Sequence, residues 1–367
     1  MPDQDSLARL ATDLVAIDSR SFRSNLAIAE RIEAELAGFE IERLDYRDAS
    51  GTPKRVLVAH RGPPGGYALS GHMDTVPDTG WTTDPWAPRI EDGVLHGLGA
   101  VDMKGAVTAC ILAARSVPQD TPATLLITAD EETSKQGAYT IAERSALARR
   151  LGLKGIVVAE PTGLAPVRGH RAHIEFTATA TGVQAHSSTG KGVNANWQLI
   201  PFLVEMKAIQ ERLRSDPGLQ DSAYDPPFSD FNLVIDNHGT ARNVTVARAS
   251  AHIKYRRSQS VDGAAIVAAV HEAARRAGIA LEERREGPPP ELPADHPLIA
   301  LAAGITGQAP RTAPYGTDAS ELQAIAPCVV LGPGTIDTAH TPHERVALAD
   351  LAAAVPIFQR ILAAGAA

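Results

Sequence analysis

Four apolar runs in this chain each lead into a histidine or an acidic residue, and this repeated pattern constrains the fold more than any other feature. The first run begins at Tyr67 and ends in His72, with Asp74 two residues further on. The other three are residues 125–129 before Glu131 and Glu132, residues 155–159 before Glu160, and residues 328–331 ahead of His340. Alternate side chains on a strand share a face, and ligand sites in α/β sheets gather at the carboxyl ends of strands. The pattern therefore predicts an α/β sheet with one site along that edge.

Segments with helical spacing separate these runs and support the α/β class. Leu7, Leu10, Leu14 and Ile17 recur at the spacing of an amphipathic helix. Further helices are predicted at about 24–38, 103–117, 136–151, 297–304 and 345–363. Helices that alternate with apolar strands indicate a sheet with helices on its faces.

The stretch from Gly169 to Gly287 has a different pattern and predicts a second domain. Strands are expected at 171–179, 231–236, 243–256 and 280–285, and helices at 195–213 and 262–277. This β-α-β-β-α-β order is that of a ferredoxin-like α+β module, and the Pro-rich run 286–290 is typical of a linker. We therefore expect a discontinuous α/β domain over residues 1–168 and 288–367, with the module of residues 169–287 inserted into it.

The charge distribution argues against nucleic acid or a membrane as a partner. The net charge is −8, and no long run of Lys and Arg occurs. No apolar run approaches the roughly 18–20 residues of a membrane span, and the first residues lack the basic and apolar regions of a signal peptide. These features predict a cytoplasmic protein.

The residue types at the predicted site indicate a metal centre. The chain has two cysteines, Cys110 and Cys328, both in apolar surroundings. We expect buried free thiols, and neither a disulfide framework nor a Cys-rich zinc site. Two histidines with several carboxylates suit first-row divalent metals, zinc above all. A carboxylate can bridge two ions about 3.5–4 Å apart, and such a pair activates water and polarises a carbonyl.

The adjacent acids Glu131 and Glu132 can divide two tasks, because neighbouring side chains point in different directions. One would bind metal, and the other would carry a proton from water to the leaving group. The alternative is a solvated helix start that the helix dipole stabilises. For Asp318, a group behind the site and a simple helix start both remain open.

Six motifs, in the same order, resemble those of the M20 family of metallopeptidases and amidohydrolases. They lie at residues 70–77, 99–105, 128–132, 159–162, 182–188, and 332–334 with 339–342. The family includes acetylornithine deacetylase, succinyl-diaminopimelate desuccinylase, aminoacylase-1 and the glutamate carboxypeptidases. The resemblance covers essentially the whole chain. It implies a zinc-peptidase-like α/β catalytic domain and an inserted ferredoxin-like domain that acts as a lid and forms a homodimer.

The resemblance also implies two zinc ions, with Co²⁺ or Mn²⁺ as alternatives. His72, Asp102 and Glu160 would bind one ion. Asp102, Glu132 and His340 would bind the other, so that Asp102 bridges the pair.

Three further residues take roles in the reaction by the same resemblance. Asp74 would orient His72, and Glu131 would be the general base and then the general acid. His186, in the lid, would hydrogen-bond the developing oxyanion in the active site of the partner subunit.

Four residues match family positions that hold the substrate: Asn243, Arg256, Gly316 and Thr317. Arg256 suits this role best, because a guanidinium binds a carboxylate at two points. The family's usual proline does not follow Arg256, so Arg257 is an alternative.

We therefore expect a dinuclear-zinc hydrolase that cleaves the amide bond of N-acyl amino acids. Acetylornithine-type deacetylation is the favoured reaction. A dipeptidase or carboxypeptidase of the same family is the alternative. A second alternative is a catalytically silent relative that binds an amino-acid derivative, but such a protein has no chemical need for Glu131.

Overall fold

A computed structural model describes residues 4–366, which separate into two units. The first unit contains the chain up to Gly169, Pro290–Thr312, and the residues from Thr317 onward. The second contains His170–Pro289 and Ala313–Gly316. Residues Ala313–Gly316 thus group with the second unit, although the sequence analysis placed them in the first domain.

The helices are α1 (Gln4–Val15), α2 (Leu26–Glu33), α3 (Gly105–Ser116), α4 (Gln136–Arg144), α5 (Ala146–Leu151), α6 (Ala195–Ser215), α7 (Ala264–Ala277), α8 (Pro297–Thr306), α9 (Ala319–Leu322) and α10 (Leu348–Ala364). The strands are β1 (Glu40–Arg47), β2 (Pro53–Arg61), β3 (Tyr67–His72), β4 (Arg89–Glu91), β5 (Val94–His96), β6 (Ala123–Thr128), β7 (Gly155–Val158), β8 (Val167–His170), β9 (Ala172–Thr181), β10 (Asp230–Asp236), β11 (Arg248–Arg257), β12 (Ala280–Arg285), β13 (Arg311–Ala313), β14 (Cys328–Val330) and β15 (Arg345–Ala347).

The centre of the first unit is an eight-stranded sheet in the order β1-β2-β6-β3-β7-β14-β8-β13. Its four middle strands, β6, β3, β7 and β14, run parallel to one another, whereas β1 and β2 pair antiparallel, as do β2 and β6. The carboxyl ends of the four parallel strands therefore lie at the same edge. The structure confirms the predicted mixed α/β class with a large central sheet.

The core of the first unit is built on the buried strands and on α3. All six residues of β6 are buried, as are the first ten residues of α3. Small side chains fill much of α3, which lets α1 and α10 pack closely against it. The two predicted buried thiols, Cys110 in α3 and Cys328 in β14, are confirmed.

The second unit has the predicted β-α-β-β-α-β order. Its four strands form an antiparallel sheet in the order β10-β11-β9-β12. Alternate residues of β9 are buried, and they pack with the apolar faces of α6 and α7. Strand order and helix placement are those of a ferredoxin-like module.

Four predicted elements are wrong in their extent. The helix expected at about 24–38 covers only Leu26–Glu33. The helix over 136–151 is divided into α4 and α5, because Ser145 is extended and its side chain caps α5 at Ala148 N. Residues 243–247 are not strand, since Thr245 N bonds to the carbonyl of Ala185 in a separate loop. The last helix begins at Leu348, because residues 345–347 pair with β5 and bury Val346.

Across residues 4–366, we find no helix that combines the length and the apolar character needed to cross a membrane.

We predict that Gly137→Ala destabilises the first unit. A Cβ at Gly137 would lie 2.3 Å from the carbonyl oxygen of Ala129, at the join between β6 and α4. Because that atom belongs to the backbone, the strand end must shift, at a cost of about 1–3 kcal/mol. Denaturant unfolding measures the loss.

Gly304→Ala in α8 is the matched control. Among residues 4–366, and apart from the nearby backbone of α8 itself, nothing lies within 4 Å of a Cβ at Gly304, so this variant should gain about 0.5–1 kcal/mol of helix stability. Equal unfolding free energies for the two variants would contradict the packing argument.

Candidate metal centre

The parallel strands bring the predicted site residues to one edge of the central sheet. His72 is the last residue of β3, and it pairs with Thr128 at the end of β6. Glu131 and Glu132 follow β6, and Glu160 follows β7, two residues after Val158. The local sequence thus supplies one or two polar groups per strand end, and the parallel pairing places them side by side.

One ring nitrogen of His72 faces two carboxylates. Its Nε2 atom is 3.1 Å from Oδ1 of Asp102 and 3.8 Å from Oε1 of Glu160. All three residues are buried. Buried charges need partners, so this group requires either shared protons or a cation.

His340 makes a matching set on the other side of Asp102. Its Nε2 atom is 3.2 Å from Oδ2 of Asp102 and 3.1 Å from Oε1 of Glu132. Asp102 therefore directs one carboxylate oxygen to each histidine. That is the arrangement that a bridging ligand requires.

The distances fit a first-row metal. A four-coordinate zinc ion with bonds of about 2.0–2.1 Å holds its ligand atoms about 3.3 Å apart. The four separations among these five residues range from 3.1 to 3.8 Å. Glu131 also has a carboxylate oxygen within 4.8 Å of the ligand atoms of His72 and Glu160.

The charge balance of the site also favours cations. Burial raises the pKa of Glu132 to about 8, and the Asp102 charge adds to this effect. Burial and Asp102 likewise raise the pKa of Glu160 well above its usual range. Contacts with Asp102 and Glu132 raise the pKa of His340 to about 11. Carboxylates outnumber the imidazoles, so divalent ions would relieve the repulsion among them.

Asp74 organises the turn that carries the two glutamates. Its carboxylate accepts hydrogen bonds from Glu131 N (3.2 Å), Glu132 N (3.3 Å) and Ser21 Oγ (2.7 Å). His72 Nδ1 lies 3.0 Å from the main-chain oxygen of Asp74 and 3.5 Å from its Oδ1. The hydrogen bond of His72 is thus to the main-chain oxygen of Asp74, while the Asp74 carboxylate accepts from the N–H groups of Glu131 and Glu132.

Glu344 is a residue of the site region that sequence reasoning missed. Its buried Oε1 accepts hydrogen bonds from the main-chain N–H groups of Val101 and Asp102, both at 3.1 Å. It therefore joins the loop of Asp102 to the loop of His340. Its position four residues after His340 was the available signal, but its burial depends on the fold.

Asp318 also faces the site. It precedes α9, but its side chain makes no capping hydrogen bond there and instead accepts one from Thr128. Burial and the nearby Glu131 charge raise its pKa well above the usual range. Of the two readings of this residue, the structure favours a group behind the site.

Most of the predicted substrate-binding residues lie in the second unit. There, Ser187 N bonds to the carbonyl of Asn243, so His186 and Asn243 are on adjoining loops. The Nη1 atom of Arg256 is 2.6 Å from Oδ2 of Asp230. Gly316 belongs to the second unit as well, and Thr317, in the first, caps α9 through Ala319 N.

Comparisons with known proteins agree with this fold. The sequence profile of the peptidase family M20/M25/M40 matches residues 68–364. Acetylornithine deacetylase from Proteus mirabilis is 33% identical over 349 residues, which cover 91% of this chain and 88% of that protein.

Two solved structures share the fold. The dipeptidase Dug1p from Saccharomyces cerevisiae is 14% identical, with a TM-score of 0.76 over 98% of this chain and 95% of its own. YXEP from Bacillus subtilis, described as a dinuclear metal-binding peptidase from the M20 family, is 16% identical, with a TM-score of 0.64 over 98% of each chain.

The fold and the acidic, histidine-containing edge define a metal-dependent hydrolase of amide or peptide bonds. The chain belongs to the peptidase family M20/M25/M40. The predicted family and enzyme class are confirmed.

We predict that Glu344→Ala weakens metal binding. Without the carboxylate, the loop of Asp102 loses two hydrogen bonds, and loss of such supporting contacts costs about 10–100-fold in metal affinity. Competition with a chromophoric chelator, using zinc and cobalt, measures the change.

Glu344→Gln keeps an oxygen that accepts both N–H groups and should retain most of the affinity. Glu30→Ala, at an exposed position of α2, is the control for loss of a glutamate. Wild-type affinity in Glu344→Ala would show that the contact does not support the site.

Proposed function

We propose that this protein is a dinuclear-zinc hydrolase that removes the acyl group from N-acyl amino acids and favours acetylornithine-type substrates. The observation that carries the proposal is the Asp102 carboxylate, which offers one oxygen to each of two histidines. The deacetylase relative at 33% identity supports the substrate class.

His72, Asp102 and Glu160 hold one ion in this proposal. Asp102, Glu132 and His340 hold the other. Bound ions supply Lewis-acid activation of the substrate carbonyl and lower the pKa of the attacking water.

Glu131 moves the proton. A carboxylate oxygen of Glu131 lies within 4.8 Å of the ligand atoms of His72 and Glu160, and its main-chain N–H donates to Asp74. A carboxylate beside the metal ligands can take a proton from water and deliver it to the leaving nitrogen.

His186 is suited to stabilise an oxyanion. Its Nδ1 accepts a hydrogen bond from the main-chain N–H of Ser188 at 3.3 Å and lies 2.8 Å from Ser188 Oγ. A main-chain N–H can only donate, so Nδ1 carries no proton and Nε2 carries it. Within residues 4–366, Nε2 has no hydrogen-bond partner, which leaves it available to a developing negative charge.

A homodimer formed by the second unit would bring His186 to the active site of the partner subunit. Two features of this unit support such an interface. Its edge strand β10 exposes Leu233, Val234 and Ile235, and α6 exposes Ile200 and Trp197, the latter to 73%. An apolar edge strand is a template for pairing with another chain.

Arg256 binds the substrate carboxylate in this proposal, and Asn243, Gly316 and Thr317 are the other residues proposed to bind substrate. Nη1 of Arg256 pairs with Asp230, and the remaining nitrogens of the guanidinium can bind the carboxylate.

A substrate panel tests the proposed function. The enzyme, loaded with zinc, cobalt or manganese, is assayed with N-acetyl-L-ornithine, other N-acetyl and N-succinyl amino acids, and dipeptides. We expect the highest kcat/KM with N-acetyl amino acids. Preferential turnover of dipeptides would instead assign the chain to the dipeptidase alternative.

Replacement of Glu131 by Gln should lower kcat by about 10²–10⁴, because the proton carrier is lost while the ligand set stays intact. Metal content, measured by atomic absorption, should not change. Glu143→Gln, at an exposed position of α4, controls for the loss of a charge. Near-normal rates in Glu131→Gln would refute its assignment as the base.

Mixed dimers test the role of His186 across subunits. Neither the His186→Ala subunit nor the Glu131→Gln subunit should be active alone, whereas a mixed dimer contains one complete site if His186 acts on the partner. Activity should therefore return when the two proteins are mixed and allowed to exchange. If His186 acts within its own subunit, both sites stay incomplete and no activity returns.

A further inference from the structure

The residue before the two glutamates has an unusual backbone. Asp130 is buried and has a φ of +61°, in the left-handed region that residues with a Cβ rarely adopt. Its carbonyl accepts hydrogen bonds from Ser134 N and Lys135 N, at 2.9 and 2.7 Å. This conformation therefore starts the tight turn that carries Glu131 and Glu132.

Two side chains from the edge of the central sheet hold Asp130. Lys54 Nζ lies 2.6 Å from Oδ1 of Asp130, and Tyr46 donates from Oη to Oδ2 at 2.7 Å. Tyr46 in β1 and Lys54 in β2 are directly paired across the strands. Both carboxylate oxygens of Asp130 are thus fixed by rigid elements.

The same lysine reaches the other side of the turn. Lys54 is fully buried, and its Nζ also donates to the main-chain oxygen of Ser21. Ser21 Oγ in turn donates to Asp74, which accepts from the N–H groups of Glu131 and Glu132. The contacts therefore close a ring that runs from Lys54 through Asp130 and the turn to Asp74, and back through Ser21.

We propose that Tyr46 and Lys54 are positioning residues for the reaction: through Asp130 and Ser21 they set the direction of the Glu131 and Glu132 side chains. Neither residue belongs to a motif of the family. The proposal rests on the proposed function, since it assumes that Glu131 carries the proton and that Glu132 binds metal.

A buried ion pair can also be present without any functional role. Such pairs contribute little net stability, because the loss of hydration offsets the attraction. A purely structural role predicts lower thermal stability with normal kinetics in the folded enzyme. A positioning role predicts altered kinetics at temperatures where the protein is fully folded.

Tyr46→Phe is the first test, because it removes one hydroxyl and leaves the buried charges paired. We expect kcat to fall about tenfold and KM to stay within twofold of the wild-type value. Loss of a residue that supports a metal-binding residue, without itself binding the metal, typically has an effect of this size. Tyr139→Phe, at an exposed position of α4, is the matched control and should keep the wild-type kcat.

A second test asks whether the effect passes through Asp130. The double variant Lys54→Met/Asp130→Gly removes the buried pair together, and glycine takes a positive φ without a steric cost. Adding Tyr46→Phe to this double variant should lower kcat no further. A further loss comparable to that in the wild-type background would overturn the proposal.

The cobalt(II) absorption spectrum and the zinc affinity give a readout that does not depend on any substrate. Because Glu132 follows Asp130 closely, Tyr46→Phe should change the spectrum and weaken zinc binding about tenfold. Failure of the whole substrate panel would count against the proposed function, while these two measurements would still decide the positioning role. A wild-type kcat, spectrum and zinc affinity with a lowered melting temperature would overturn it.

Discussion

The Asp102 carboxylate, held between His72 and His340, is the interaction on which the rest of the site depends. Its two oxygens are 3.1 and 3.2 Å from the two imidazoles, so one side chain couples two otherwise separate groups. Burial raises the pKa of each neighbouring glutamate, and Asp102 raises it further. The site is therefore under electrostatic strain that divalent cations would relieve, which explains why a hydrolase can keep so many carboxylates together below its surface.

Rigid supports around these groups are as prominent as the groups themselves. Glu344 fixes the main chain at Asp102, Asp74 fixes the two glutamate N–H groups, and Lys54 links the supports of the turn. Each support is a buried polar group whose partners lie far away in sequence. Preorganised groups of this kind lose little free energy to reorganisation during a reaction, which suits a site that must deliver a proton and bind an ion from adjacent residues.

The second unit supplies what the first lacks in our proposal. Its His186 has a protonated Nε2, and its edge strand β10 is apolar and exposed. Catalysis would then depend on dimer formation, because the donor to the oxyanion would come from another subunit. Substrate selection would rest on the same unit, where Arg256 pairs with Asp230.

The sequence alone determined the α/β class and the residue types at the strand ends, because apolar runs, turns and the polar residues that follow them are local patterns. The resemblance of six motifs indicated the family. The sequence did not predict that residues 345–347 form a strand, nor that residues 243–247 lie outside one. In both cases the backbone hydrogen bonds are to residues that are distant in sequence. No sequence pattern indicated a role for Tyr46, Lys54 or Glu344. Their roles arise only when the fold buries a charge beside one particular partner, and burial is decided by contacts between residues that are far apart along the chain.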